Sequence, residues 1–332
     1  MIAILILNWN GWQDTIDCLR SLHKATYKDY FIVVGDNGST NDSKKQIVKF
    51  CNNEHISIKQ EALNEEKIDA IEKGEVILYD LLTNNGFAKG NNLMVKYSKK
   101  FCPEFYFVLN NDTEVAPDYM NVLMNFKTSY PTYEVLTPLI PYYYEKEKVW
   151  CAGGKVFWGF RKYFYADKLC KSIRESEFID CSFVTGCAML FSNNCLKADG
   201  NLYSEAFFFG EDDFELALRF KREKVKQACV LKSVVYHKVS SSTSSAPSLS
   251  KIYIHYLNRY INLRLNLNCF SFHCWRLLNN AYLFRLLKRK NFSTKEVRNF
   301  LKRLNKDCFK YEGVSKEFFE NTLGIVSKDK LN

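Results

Sequence analysis

From Ile2 to Leu7 every residue is apolar, and the run stops at Asn8-Trp9-Asn10-Gly11. Ile16, Leu19 and Leu22 follow at helical spacing, so the chain opens as strand, polar loop and helix. A second apolar run, Phe31 to Val34, ends at Gly35-Asp36-Asn37-Gly38-Ser39, where Gly and Asn permit a tight turn. Residues 44–75 are rich in charge and read as helical or irregular. A third strand is expected over Val76–Leu82, before the amide-rich stretch Asn84 to Asn92, and a fourth over Phe105–Leu109, before Asn110-Asn111-Asp112-Thr113. Strands that repeatedly release polar loops at their C-terminal ends predict an open α/β sheet, with those loops converging on one crevice.

The second half carries Val149-Trp-Cys-Ala-Gly153-Gly154, then Phe183 to Phe191 around Thr185-Gly186, then Phe207-Phe-Phe-Gly210-Glu211-Asp212-Asp213, and finally Val234-Val-Tyr-His237. Serine-rich residues 240–250 have the composition of a mobile loop or linker. Beyond it, Ile252, Tyr256, Tyr260, Leu263 and Leu267 keep helical spacing. So do Val297, Phe300, Leu301, Leu304 and Cys308, after the capping-box pair Ser293 and Glu296. The organisation expected is one large α/β domain over residues 1–245 and a basic helical region over 246–332.

Charge sharpens that division. The 332 residues carry a formal charge of +10, yet residues 251–332 hold 17 Lys and Arg against 6 Asp and Glu, which is the whole excess. Such a block meets anionic lipid, nucleic acid or water. No recognition motif accompanies it, which argues against nucleic acid. Leu277, Ala281, Phe284 and Leu287 on one side, with Arg285, Lys288, Arg289 and Lys290 nearby, either lie on an anionic membrane or pack against the large domain. No apolar stretch reaches the roughly 18 residues a membrane span needs, and Ile2–Leu7 is too short for a signal peptide. The expectation is a cytoplasmic protein, with peripheral attachment to the inner face of the membrane open through the tail. The twelve cysteines contain no C-x-x-C pair, which predicts reduced, buried thiols and no structural zinc.

The candidate chemistry lies in the loops. A hard divalent cation such as Mg²⁺ or Mn²⁺ uses one or two carboxylates and lets phosphate oxygens complete its shell, a role open to Asp112, which equally suits an Asx-type turn. Glu211-Asp212-Asp213 place three carboxylates in a row. Their repulsion suits a general base with a raised pKa, and the same acids suit a helix N-terminus. His237 could add a neutral imidazole to the same metal. Asp36 and Asn85, at strand ends, could hydrogen-bond a nucleobase or ribose.

In that order, Asn8-Trp-Asn10-Gly11, Gly35-Asp36-Asn37-Gly-Ser-Thr, Asn85-Gly86-Phe-Ala-Lys-Gly90-Asn91-Asn92, Leu109-Asn-Asn111-Asp112-Thr, Gly153-Gly154, Thr185-Gly186, Glu211-Asp-Asp-Phe-Glu-Leu-Ala-Leu-Arg219 and Tyr236-His237-Lys resemble the family 2 glycosyltransferases with a GT-A fold. The nearest likeness is to the rhamnosyltransferase-like branch that builds bacterial capsule or O-antigen. The resemblance runs from Ile2 to about Ser250 and touches the tail at Tyr256-x-x-Arg259. It implies inverting transfer of a sugar from a nucleoside diphosphate donor, UDP- or dTDP-linked, to a hydroxyl of a glycan or lipid-linked oligosaccharide.

The resemblance also assigns roles. Asp36 would meet the base, with Asn8, Asn10, Asn85, Gly86, Asn91 and Asn111 lining the nucleotide pocket. Asp112 and His237 would hold a Mg²⁺ or Mn²⁺ ion bridging the diphosphate, and Gly186 and Glu211 would stand on the acceptor side. Asp213 would take the acceptor proton, with Asp212 the alternative, because the three consecutive acids permit two alignments. Asn110 stands where the family's metal motif begins with an acid.

Other classes fit less well. The first strand–helix turn lacks the G-x-G-x-x-G of a dinucleotide-dependent oxidoreductase. A glycosidase needs an acid and a partner across the scissile bond, and it leaves the asparagine-rich loops unexplained. A non-catalytic, transferase-like scaffold in a glycan assembly complex is the alternative from another class; the retained Asp36, Asp112, Asp213 and His237 argue against it.

Overall fold

The structure is a computed structural model that describes residues 1–173, 176–239 and 248–324. The chain alternates β1 (Ile2–Asn8), α1 (Trp12–Lys24), β2 (Tyr30–Asp36), α2 (Ser43–Asn53), β3 (Ile58–Ala62), β4 (Val76–Asp80), α3 (Gly86–Ser98) and β5 (Phe105–Asn110). These five strands are parallel in the order β5-β1-β2-β4-β3. Their continuous apolar runs follow from burial on both faces. In β1, Ile2, Ile4 and Ile6 enter one core, while Ala3 and Leu5 enter the core on the opposite face.

The sheet then turns antiparallel. After β6 (Thr113–Val115) and α4 (Tyr119–Ser129) come β7 (Tyr133–Pro141), β8 (Val149–Cys151), the hairpin β9 (Gly154–Phe157) and β10 (Phe160–Tyr163), β11 (Phe178–Cys181), β12 (Ala188–Ser192), α5 (Asp212–Arg222) and β13 (Lys226–His237). β12 runs antiparallel between β5 and β7, and β13 extends the sheet beyond β7, with β11 at its edge. Among the described residues the sheet holds 11 strands. The chain leaves β1 toward β2 on one side and returns to β5 on the other, so the loops after β1 and β5 flank a topological switch point, where α/β sheets bind ligands.

The expected first, second and fourth strands form where the apolar runs put them. The third stops at Asp80, and Leu82 takes a left-handed backbone with φ 66°. Within 44–75 the pattern did not announce β3, a short polar edge strand paired on one side only. All twelve cysteines are free thiols, seven of them buried.

The tail is helical: α6 (Leu249–Asn266), α7 (Cys269–Arg289), α8 (Thr294–Lys310) and α9 (Lys316–Leu323). Ser293 and Glu296 form the expected capping box on α8. Ile252, Leu257, Tyr260, Trp275, Leu283, Leu287, Phe300 and Leu304 join Phe207, Phe214 and Leu218 in one core cluster, so the helices pack directly on α5. Of the serine-rich stretch, residues 240–247 lie outside the described residues, and Ser248 caps α6 by accepting from the Lys251 amide. Among the described residues no helix is long and apolar enough to cross a membrane.

Candidate active site

The loops after β1, β2, β4 and β5 interlock through amide and hydroxyl side chains. Asn8 Nδ2 donates to Asp36 Oδ2 at 2.8 Å, and its Oδ1 accepts from Thr15 at 2.9 Å. Asp36 is fully buried. Its Oδ1 accepts the Ser39 amide and its Oδ2 the Ser39 hydroxyl, so the carboxylate braces its own turn and the Asn8 loop. Asn10, at φ 57°, receives the Thr40 amide on its Oδ1, and Asn111 Nδ2 donates to Gly11 O and Thr15 Oγ1.

Asn37 ties β2 to the next loop. Its Oδ1 accepts the Asn85 amide at 2.9 Å, while its Nδ2 reaches Asn84 Oδ1 and Gly86 O. Asn85 Nδ2 donates to Thr83 O and Leu81 O. Gly86 sits at φ 75°, and a Cβ there would lie 2.1 Å from Phe208 O, so only glycine lets the 205–211 segment approach the start of α3. Asn91 Nδ2 bonds Phe87 O, leaving a buried, unpartnered Oδ1; Asn92 fixes the Leu202 and Tyr203 amides.

Asp112 and His237 meet across the β6–β13 ladder. His237 Nε2 lies 3.2 Å from Asp112 Oδ1, and the Lys238 amide donates to Asp112 O. The imidazole packs edge-on to Trp150, with centroids 4.4 Å apart, and its buried Nδ1 has no hydrogen-bond partner among the described residues. Lys238 holds the strand end to α1 through Asp14 and Asp17. Among the described residues no three His, Cys, Asp or Glu side chains gather as a metal cluster. Two donors remain, and their 3.2 Å separation matches neighbouring ligands of an octahedral ion, about 3 Å apart at metal–ligand distances near 2.1 Å. The pair therefore fits a Mg²⁺ or Mn²⁺ ion whose other ligands come from a diphosphate or water.

The three consecutive acids divide their tasks. Glu211 adopts φ 69° and turns its carboxylate into the tail, where Arg259 Nε lies 2.9 and 2.8 Å from its oxygens and Asn262 Nδ2 donates at 3.1 Å. The side chain of Glu211, expected on the acceptor side, is 2% exposed and bound to α6. Asp213, half-buried, accepts the Gly186 amide on Oδ1 at 2.9 Å and the Thr185 hydroxyl on Oδ2 at 3.0 Å. Gly186 makes room for it, since a Cβ would fall 2.8 Å from Asp213 Oδ1 and 2.6 Å from the Tyr203 hydroxyl.

Burial raises the Asp213 pKa above the usual carboxylate value, against the hydrogen bonds from Gly186 and Thr185 and the charge of Arg161. Asp212 is more deeply buried, and its Oδ1 has no partner. Burial first, then the neighbouring Asp213, pushes its carboxyl well above the ordinary range. Burial, then the charges of Asp112, Cys151 and Asp213, push the buried Cys187 thiol well above the ordinary thiol range.

The structure ties the loops of Asn8, Asp36, Asn85 and Asn111 together, and separately pairs Asp112 with His237 and Asp213 with Thr185 and Gly186. The reading from sequence passed over Ser39, Thr15, Asn37 and Arg161, small or isolated side chains whose partners are remote in the chain.

An open α/β sheet with a parallel half, an antiparallel half and the site at its switch point is the GT-A fold of nucleotide-sugar transferases. The chain belongs to glycosyl transferase family 2: the model described as "Glycosyl transferase family 2" matches residues 3–198. Among solved structures it is similar to GalNAc-T7 with UDP, GalNAc and Mn²⁺, at 15% identity and TM-score 0.58, covering 98% of this chain and 56% of that one. It also resembles the mannosyltransferase PcManGT from Pyrobaculum calidifontis in complex with GDP-Man and Mn²⁺, at 11% identity and TM-score 0.56, covering 99% and 86%. S. aureus TarS 1–349 aligns at 14% identity and TM-score 0.51, covering 83% and 69%. No curated protein matches the sequence. The chain therefore spans little more than half the length of the first of these structures.

The raised Asp212 carboxyl has a consequence for stability. The folded chain holds this proton more tightly than the unfolded chain, so stability falls as pH rises from the ordinary carboxyl range through the raised pKa. Asp212→Asn should flatten that fall and raise the urea midpoint at about pH 8, because the amide has no charge to bury. Urea midpoints at about pH 5 and pH 8 check this; an equal or lower midpoint for the variant at the higher pH contradicts it.

Proposed function

We propose that this chain is an inverting, metal-dependent glycosyltransferase that moves a sugar from a UDP- or dTDP-sugar to a hydroxyl of a lipid-linked surface-polysaccharide acceptor of the O-antigen or capsule type, on the cytoplasmic side of the membrane. Residues 1–245 are read as the catalytic region and 246–332 as its basic helical extension. The observation that carries the proposal is one half-buried carboxylate, Asp213, hydrogen-bonded at both oxygens, together with a separate Asp112–His237 pair 3.2 Å apart, a spacing that suits two ligands of one cation.

The acceptor hydroxyl attacks the anomeric carbon as the bond to the diphosphate oxygen breaks, inverting the centre. Asp213 takes the hydroxyl proton. Burial strengthens it as a base, while Thr185 and Gly186 hold its two carboxylate oxygens in place. Asp112 and His237 would hold the metal ion, which supplies positive charge to the departing diphosphate. Asn10, Asn85, Gly86 and Asn91 offer amide and backbone groups to the nucleoside and Asp36 meets its base, with Asn8 and Asn111 holding those loops in shape. Gly186 leaves space on the acceptor side beside Phe87 and Tyr203.

Asp213→Asn should lower turnover by at least about a thousandfold while nucleotide binding persists, because the change removes the base and leaves the donor pocket intact. Near-normal turnover in Asp213→Asn together with its loss in Asp212→Asn would transfer the role to Asp212. Asp112→Ala should weaken Mn²⁺-dependent binding of UDP or dTDP about tenfold or more by calorimetry, as EDTA does to the wild type. Equal affinity with and without EDTA would remove the metal role.

A further inference from the structure

The tail exposes an apolar surface that the core does not use. In α7, Phe272, Trp275, Leu283 and Leu287 face inward, while Phe270 is 79%, Leu277 67%, Leu278 58% and Tyr282 54% exposed. At 100° per residue, positions 270, 274, 277, 278, 281 and 282 share one outward arc, and Arg285, Lys288 and Arg289 continue the same arc in the last turns. The face differs from the expected one: Leu277 and Ala281 lie on it, whereas Leu287 is buried and Phe284 is half-buried.

Charge narrows the choice of occupant. α7 contains no acidic residue, and none occurs in the sequence between Glu223 and Glu296. The adjoining α8 adds exposed Arg298, Lys302 and Lys306. A second copy of the chain would bring cation against cation at the end of such a face. An anionic surface with an apolar interior complements both parts of it.

We propose that the outward face of α7 is a lipid-contact surface, which lays the helix along an anionic bilayer with Phe270, Leu277, Leu278 and Tyr282 in the headgroup and acyl boundary and Arg285, Lys288 and Arg289 against lipid phosphates. This goes beyond the transfer chemistry and is independent of it. It brings the protein to the surface where a lipid-linked acceptor would reside.

The test is sedimentation of the full chain with vesicles of phosphatidylglycerol and phosphatidylcholine, and of phosphatidylcholine alone. Binding is expected to the anionic vesicles at about 10 mM salt and to fall steeply toward 1 M, as the Debye length drops from about 30 to 3 Å. Leu277→Ser/Leu278→Ser should cut the partition coefficient at least about tenfold. Arg285→Gln/Lys288→Gln/Arg289→Gln should cut it about a hundredfold, at about fivefold per charge. Both variants alter exposed side chains, and unchanged circular dichroism and UDP binding would show them folded. No wild-type binding to anionic vesicles overturns the proposal, as does equal binding by folded variants. So does a concentration-dependent dimer lost in Leu277→Ser/Leu278→Ser without vesicle binding, which would assign the face to a second copy.

Discussion

The Glu211–Arg259 ion pair is the constraint on which the reactive end of the molecule depends. Glu211 is a non-glycine residue in left-handed backbone, a conformation costing of order 1 kcal/mol or more, and it persists only where surroundings over-determine it. Here they do. Arg259 meets both carboxylate oxygens and stacks 4.1 Å above Phe214, Asn262 adds a third hydrogen bond, and Asn258 holds Phe209 O. Val314 closes the other side by exchanging backbone hydrogen bonds with Phe208 and Ala206. Asp212 and Asp213 follow Glu211 directly, so the tail fixes the direction in which α5 presents them. The pair is nearly buried, and removing one partner would leave an uncompensated charge, a loss of about 3–5 kcal/mol in comparable cases.

Elsewhere the site is built from neutral amides. Asn8, Asn37, Asn92 and Asn111 each satisfy groups on loops far apart in sequence, which lets strand ends meet without burying unpaired charge. Carboxylates stand among them at Asp36, which braces the first two loops, at Asp112 beside His237, and at Asp213 with its two donors, the last two at the places the proposed chemistry uses.

The parallel half of the sheet was legible because strands buried on both faces read as unbroken apolar runs, and their Gly- and Asn-rich ends mark the site. β3 was not, since an edge strand needs no such run. The division of labour among Glu211, Asp212 and Asp213 was also hidden: it follows from one backbone turn and from a partner 48 residues away. The bracing by Asp36 and Asn111 was not legible either, because a group that braces a loop and one that touches a ligand are the same residue types. In α7 the periodicity gave the helix but not its inner face, because apolar residues occupy both sides.

The central claim is that the tail sets the acid-bearing segment through Glu211 and Arg259. Hydrogen–deuterium exchange of Arg259→Met against wild type tests it most directly. Faster exchange is expected across residues 205–214, with the amides of β1, β2 and β5 unchanged. Unaltered exchange at 205–214 in a folded variant would contradict it.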